Sequence, residues 1–277
     1  MKTQRLLVAL LTLLAWGTCA GKDSCFDCHR VMEGTSLRFT NDIHFAEGIS
    51  CARCHGGDQT ETNQNIAMNA SRGFKLRVQR AGVPQFCGNC HSDAKFMGQY
   101  DPDLPVDQLA DYQAGVHGKL LAAGRKHAAE CVDCHGVHDI RVTTDPLSTA
   151  SPQRISKTCA KCHAATEEAF VPTRHGKLFV DDDRPGCTVC HAAHDTQPAT
   201  AAMLTGPGSV CARCHKPGSP PFKLATDMAA VLAGLEAGGA DAKDALARAR
   251  VAVHSLDLAA VKRAAEPVPA GSDAEGK

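Results

Sequence analysis

Seven copies of the pattern Cys-x-x-Cys-His run through the chain, and no other feature constrains its fold as strongly. With 15 cysteines and 14 histidines in 277 residues, the pattern is expected by chance far less than once. A cysteine pair separated by two residues and followed directly by a histidine is typical of covalent haem attachment, in which the histidine binds the iron. The sequence therefore predicts seven covalently attached haem c groups.

Each motif, numbered one to seven in chain order, supplies two haem-attaching cysteines and one iron ligand. The cysteine pairs are Cys25 and Cys28, Cys51 and Cys54, Cys87 and Cys90, Cys131 and Cys134, Cys159 and Cys162, Cys187 and Cys190, and Cys211 and Cys214. The motif histidines are His29, His55, His91, His135, His163, His191 and His215.

Zinc sites and disulfides are the alternatives for such cysteine pairs. Four-ligand zinc sites could use the cysteines, but they would not require a histidine directly after every pair. A disulfide framework would not require one either. Only Cys19 lies outside the motifs. We therefore interpret the motifs as haem sites and keep zinc and disulfides as alternatives.

The N-terminus predicts export from the cytoplasm. Lys2 and Arg5 precede an apolar run over 6–15, and small residues follow it, so residues 1–20 have the pattern of a secretory signal peptide. The run is short for a bilayer span. The expected location is the periplasm or another space outside the cytoplasm. Cys19 raises a lipoprotein alternative, although the residue before it fits a lipidation signal poorly.

The composition favours a core built around cofactors. Thirty acidic and 30 basic residues balance, which excludes the basic footprint of a nucleic-acid-binding protein. Only 4% of the residues are aromatic, and porphyrins would supply the missing apolar volume. No alternation is long enough for a sheet. The predicted fold is mostly α and irregular, a multihaem cytochrome c core of short helices and loops wrapped around stacked haems.

Two segments repeat one order of elements. Residues 117–163 and 175–215 each contain a His-Gly-Lys-Leu element, then CxxCHxxHD, then CxxCH. The stretch from His44 to Asp58 resembles a degenerate third copy, with Asp58 where the others have histidine. The predicted domains are a signal peptide (1–20), a heptahaem domain (21–222), a C-terminal helical hairpin packing on that core (223–265) and a disordered tail (266–277).

A second histidine, His138, lies three positions after His135, the histidine of motif four. Three extended residues span only about 10–11 Å, too short a path from His135 around the macrocycle rim to the opposite face. We therefore expect His138 to bind the iron of a different haem, and the same argument applies to His194 in motif six. Irons tied to such close residues would lie near each other.

The histidines outside the motifs equal the haems in number. The seven expected second ligands are His44, His117, His127, His138, His175, His194 and His254. His127 follows two basic residues, and the alternative is that it is a solvated loop residue. For His254 the alternative is that it is packed within a C-terminal helix. Met32 is better explained by packing than by iron binding.

These residues resemble the multihaem c-type cytochromes with paired CxxCH modules and bis-histidine haems, over roughly residues 23–262. The similar segments are Val116-His117-Gly118-Lys119, the stretch from Cys134 to His138, and the segments around His44 and His254. His127 lies in no segment that is similar to the family. The resemblance implies a secreted electron-transfer protein of low-potential haems. Its partners would be redox proteins, such as a membrane quinol dehydrogenase as donor and a reductase or external acceptor.

The expected function is an electron carrier rather than an enzyme, with no catalytic residue, no nucleic-acid partner and no transmembrane span in the mature chain. Two alternatives stay open. One is a reductase of a nitrogen or sulfur oxyanion that keeps one haem iron open to substrate. The other is a subunit of a cytochrome filament or membrane complex.

Overall fold

The computed structural model describes residues 23–32, 34–181, 186–206 and 208–268. The predicted signal peptide, with Cys19, lies outside the described residues, as does most of the predicted tail. Within the described ranges the chain forms short helices joined by irregular loops, and no strand occurs there. The predicted fold class is confirmed.

The helices follow one another closely. The α-helices are α1 (Ser24–His29), α2 (Ile43–Ala46), α3 (Cys51–His55), α4 (Gln64–Ala67), α5 (Val83–His91), α6 (Ala94–Met97), α7 (Gln108–Ala114), α8 (Val116–Ala122), α9 (Cys131–His135), α10 (Ile155–Phe170), α11 (Arg174–Asp181), α12 (Gly186–His191), α13 (Ala201–Thr205), α14 (Pro220–Ala237), α15 (Lys243–Val253) and α16 (Leu258–Ala265). Short 3₁₀ helices span Thr35–Asn41, Ala70–Arg72, Arg80–Gly82 and Cys211–Arg213.

The chain divides into two compact units. Unit one comprises the described residues within 23–37 and 48–76 and contains motifs one and two. Unit two comprises residues 38–47 and the described residues within 77–268 and contains motifs three to seven. This division does not test the domain boundaries predicted from the sequence, which stay predictions.

Side-chain caps start two of the helices that carry motifs, α1 and α9. At α1, Asp23 accepts hydrogen bonds from the backbone N–H groups of Cys25 (3.0 Å) and Phe26 (3.3 Å). At α9, Glu130 and Asp133 form a reciprocal capping box, in which each carboxylate accepts a backbone N–H of the first turn. The caps fix where each helix begins, and with it the direction of the cysteines that follow.

The residue after the motif histidine has a positive φ in three motifs. These residues are Gly56 (φ 67°), Gly136 (φ 80°) and Ala192 (φ 61°). Glycine adopts a positive φ without strain, whereas the Cβ of alanine crowds the following carbonyl. Motif six therefore carries backbone strain at a position where motifs two and four carry none.

Ala192→Gly is expected to raise the free energy of unfolding by about 0.5–1 kcal/mol, because relief of the strain exceeds the entropy that glycine adds to the unfolded chain. Guanidinium unfolding of the holoprotein measures the change. The matched control is Ala193→Gly, whose backbone has no positive φ; it is expected to lower stability. Equal destabilisation by both changes would contradict the argument.

The C-terminal helices α14, α15 and α16 pack around an apolar cluster of their own. Its centre is formed by Met228, Ala249 and Val261, none more than 1% exposed. Asp257 caps α16 by accepting the backbone N–H of Ala259 at 2.8 Å. Helix α15 also contacts α10, which carries motif five, so the cluster is joined to the motif region of unit two.

Among the described helices, none has the length and apolar character needed to cross a membrane.

Candidate functional site

In unit two, five motif histidines each face a second histidine at nearly the same distance. The ring centroids of the five pairs are 5.8–6.2 Å apart. The pairs are His91 with His44 (6.0 Å), His135 with His194 (6.1 Å), His163 with His117 (6.2 Å), His191 with His254 (5.9 Å) and His215 with His175 (5.8 Å).

This separation fits two imidazoles bound to one metal ion from opposite sides. A metal–imidazole bond is about 2.0–2.1 Å long, so two rings on opposite sides of one ion have centroids about 6–6.5 Å apart. The angles between the ring planes vary from 19° to 82°, which axial ligands tolerate because each ring can turn about its bond to the metal. The five pairs thus suit the two axial positions of a haem iron.

The pairing follows a rule along the chain. Within each repeat, the histidine of the His-Gly-Lys-Leu element faces the second motif of that repeat, as His117 faces His163. The two repeats are joined by His194 of the second, which faces His135 of the first. His191 of motif six faces His254, which lies at the end of α15. The sequence had left these partners open.

Hydrogen bonds at Nδ1 orient three of the candidate ligands. The Nδ1 of His44 lies 2.8 Å from Asp42 Oδ1, and the Nδ1 of His254 lies 2.9 Å from the Arg250 carbonyl oxygen. In unit one, the Nδ1 of His55 lies 2.9 Å from the Lys75 carbonyl oxygen. Because these oxygens can only accept, Nδ1 carries the proton and Nε2 keeps its lone pair for a metal.

Burial keeps the paired rings neutral. It is the largest cause of a lowered pKa in six of the candidate ligands, and the facing imidazole lowers the pKa further in all but the last of them. They are His91, His117, His135, His175, His191 and His254. A neutral imidazole is the form that binds a metal.

The motif cysteines do not form zinc or disulfide clusters. None of the fourteen is joined in a disulfide, and burial raises the pKa of Cys134 to about 11, so this thiol is uncharged at neutral pH. No three His, Cys, Asp or Glu side chains of the described ranges are grouped so as to hold a metal ion. The arrangement supports neither zinc sites of four protein ligands nor a disulfide framework.

Consecutive motifs of unit two are neighbours in space. The thiols of Cys87 and Cys131 lie close enough to interact, which places motif three beside motif four. Cys159 and Cys187 do the same for motifs five and six. The predicted haem attachment points of motifs three and four, and those of motifs five and six, therefore lie side by side.

Unit one holds motifs one and two together by polar contacts. The Ser24 hydroxyl group lies within hydrogen-bonding distance of two carbonyl oxygens, those of Gln59 (2.8 Å) and Glu61 (2.6 Å). Asp23 Oδ2 accepts the backbone N–H of Cys51 at 3.4 Å. Asp58, which replaces the second histidine of the other copies, forms an ion pair with Arg72.

His138 and His127 lie outside the five pairs described above. His138 has a left-handed backbone (φ 59°), and its ring centroid is 6.2 Å from that of Phe39. His127 lies in an exposed turn after α8. Their assignment as iron ligands stays a prediction, as does that of every other histidine named from the sequence.

Two residues that position the ligands were missed by the sequence analysis. Asp42 binds the ring of His44, and Gly115 precedes α8, where a Cβ would lie 2.7 Å from the His194 carbonyl oxygen. Both stand two residues before a second-ligand histidine, and that shared offset is the signal that could have found them.

One comparison with known proteins gives a match. Residues 43–164, less than half of the chain, match the model of the cytochrome c3 family, and this segment contains motifs two to five. The match supports a multihaem c-type cytochrome with covalently bound haem and a role in electron transfer. No curated protein and no solved structure matches the chain.

Proposed function

We propose, from the premise of a multihaem c-type cytochrome, that this chain binds seven haem c groups and is an exported electron carrier. The observation that carries the proposal is the set of five histidine pairs with centroids 5.8–6.2 Å apart. Each pair would hold one haem iron from both faces, which leaves that iron no position for a substrate. Bound haem supplies reversible one-electron chemistry at the iron.

The chain's own contribution is the spacing of these sites. The thiol contacts between Cys87 and Cys131 and between Cys159 and Cys187 support close approach of successive haems. The pair of His135 and His194 ties the two repeats to each other. Because electron tunnelling falls steeply with distance, a row of adjacent sites favours transfer along the protein.

The location and partners belong to the same proposal. The signal-like pattern of residues 1–20 supports export to the periplasm. A membrane quinol dehydrogenase or another donor would supply electrons, and a reductase or an external acceptor would take them. A role as a subunit of a cytochrome filament or membrane complex would use the same row of sites.

The holoprotein is expected to carry seven haems per chain, with at least five of them low-spin and six-coordinate. Mass spectrometry of the intact protein and a pyridine haemochrome assay give the haem count, and EPR spectroscopy gives the spin states. Fewer than seven haems would contradict the cofactor assignment. A high-spin iron that binds nitrite and reduces it would favour the oxyanion reductase instead of the carrier.

A further inference from the structure

Three helices present a second-ligand histidine in the same way. In α2, α8 and α11, the histidine is the second helical residue, so the residue two positions earlier precedes the helix. The three equivalent residues are Asp42, Gly115 and Thr173. They differ in chemistry, although the histidines that they precede have the same predicted role.

Asp42 is buried and makes three hydrogen bonds. It is only 2% exposed. Its Oδ1 accepts the ring Nδ1–H of His44 (2.8 Å) and the backbone N–H of the same residue (2.9 Å). Its Oδ2 accepts the backbone N–H of Ile140 at 2.8 Å. The carboxylate is thus fixed against the imidazole on one side and against the segment after motif four on the other.

The surroundings of the Asp42 carboxylate favour its charged form. Two donors from His44 and one from Ile140 point at its oxygens, and a hydrogen bond to a carboxylate stabilises the anion. A buried anion with three well-placed donors is a stable arrangement.

The equivalent positions supply no charge. Gly115 has no side chain, and the backbone of residues 194–196 lies too close for one. The Thr173 hydroxyl donates to the Phe170 carbonyl oxygen (2.7 Å) and accepts the backbone N–H of Gly176 (3.0 Å). Of the three histidines, His44 alone has an anion supplied from this position.

We infer that Asp42 is a positioning residue that makes the haem of motif three harder to reduce than the haems of motifs five and seven. A carboxylate bound to Nδ1 makes the imidazole a more basic ligand, and a more basic ligand stabilises the ferric iron. The inference rests on the proposed function, in which His91 and His44 hold one haem. Electrons on the motif-three haem would then tend to pass on to its neighbours.

A reciprocal exchange tests this inference. Asp42→Thr gives the first site the residue of the third, and Thr173→Asp gives the third site the residue of the first. The first change is expected to shift the reduction equilibrium of one haem about tenfold towards the ferrous form, which is about 59 mV for a one-electron couple. The second is expected to shift one other haem the opposite way. Potentiometric titration followed by visible and EPR spectra of the low-spin signals measures both.

Two further variants control the experiment. Asp42→Asn removes the charge but keeps an acceptor for the His44 ring, and a smaller shift in the same direction is expected. Asp93→Asn removes an equal charge two residues after His91, where the carboxylate caps α6 and contacts backbone N–H groups only. Little shift is expected from it.

The outcomes separate the inference from the proposed function. A wild-type protein with fewer than seven haems contradicts the proposed function. If all seven haems are present, two results overturn the inference. One is an Asp42→Thr titration that differs from wild type no more than that of Asp93→Asn. The other is a high-spin haem in Asp42→Thr, which would show that Asp42 only holds His44 in place.

Discussion

Replacing His254 by alanine is expected to convert the haem of motif six from low-spin to high-spin, because the ring of His254 faces that of His191 with centroids 5.9 Å apart. The ring is buried, and its Nδ1 is bound to the Arg250 carbonyl oxygen, so it is already oriented for binding. EPR spectroscopy should show one new high-spin iron per chain, and carbon monoxide should bind the reduced variant at one more haem than it binds wild type.

The control for His254→Ala is Lys262→Ala on the adjacent helix α16, an exposed position at which the spectra should stay those of wild type. An unchanged low-spin spectrum in His254→Ala would contradict the pairing. The haem core itself is expected to remain folded, because the centre of the apolar cluster is formed by Met228, Ala249 and Val261 and not by this histidine.

Gly115→Ala is expected to disturb two haem sites at once. The new Cβ would lie 2.7 Å from the His194 carbonyl oxygen and 2.8 Å from the Thr196 backbone nitrogen. The Val116 N–H also donates to the Thr196 carbonyl oxygen at 2.9 Å, so the start of α8 cannot move away without breaking this bond. His117 and His194 belong to different pairs, and both should be displaced. Overpacking of this kind costs about 1–3 kcal/mol of folding free energy.

Denaturant unfolding measures the lost stability, and the g-values of two low-spin EPR signals report the displaced ligands. The matched control is Gly234→Ala in the last turn of α14, where nothing lies within 4 Å of the added Cβ. There the change is expected to stabilise the protein by up to about 1 kcal/mol, because alanine favours the helix. A single altered EPR signal in Gly115→Ala would contradict the coupling of the two sites.

The sequence predicts the attachment chemistry and the helical, strand-free fold because both are local properties. A CxxCH motif carries its meaning within five residues, and Ala-rich amphipathic stretches predict α14 and α15 without reference to the rest of the chain. The positive φ after the motif is also local, although alanine at position 192 hides it.

The sequence limits which histidines can form a pair, but it does not determine which second histidine faces which motif histidine. The limited reach from His135 to His138 excludes one partner, yet nothing in that stretch indicates that His194 faces His135. Such a pair depends on the folded path of about sixty intervening residues. The same holds for Asp42, whose Oδ2 accepts the backbone N–H of Ile140, and for the carbonyl oxygens that orient His55 and His254.

The pair of His135 and His194 has a consequence for how such a protein grows. The first repeat receives a candidate ligand, His194, from the second, and the second receives His254 from α15, which ends the series. If a further repeat were inserted ahead of α15, its equivalent of His194 would face the first motif histidine of the preceding repeat. His254 would then face the first motif histidine of the new repeat. A longer chain with more sites could therefore arise by tandem duplication, with the existing histidine pairs unchanged.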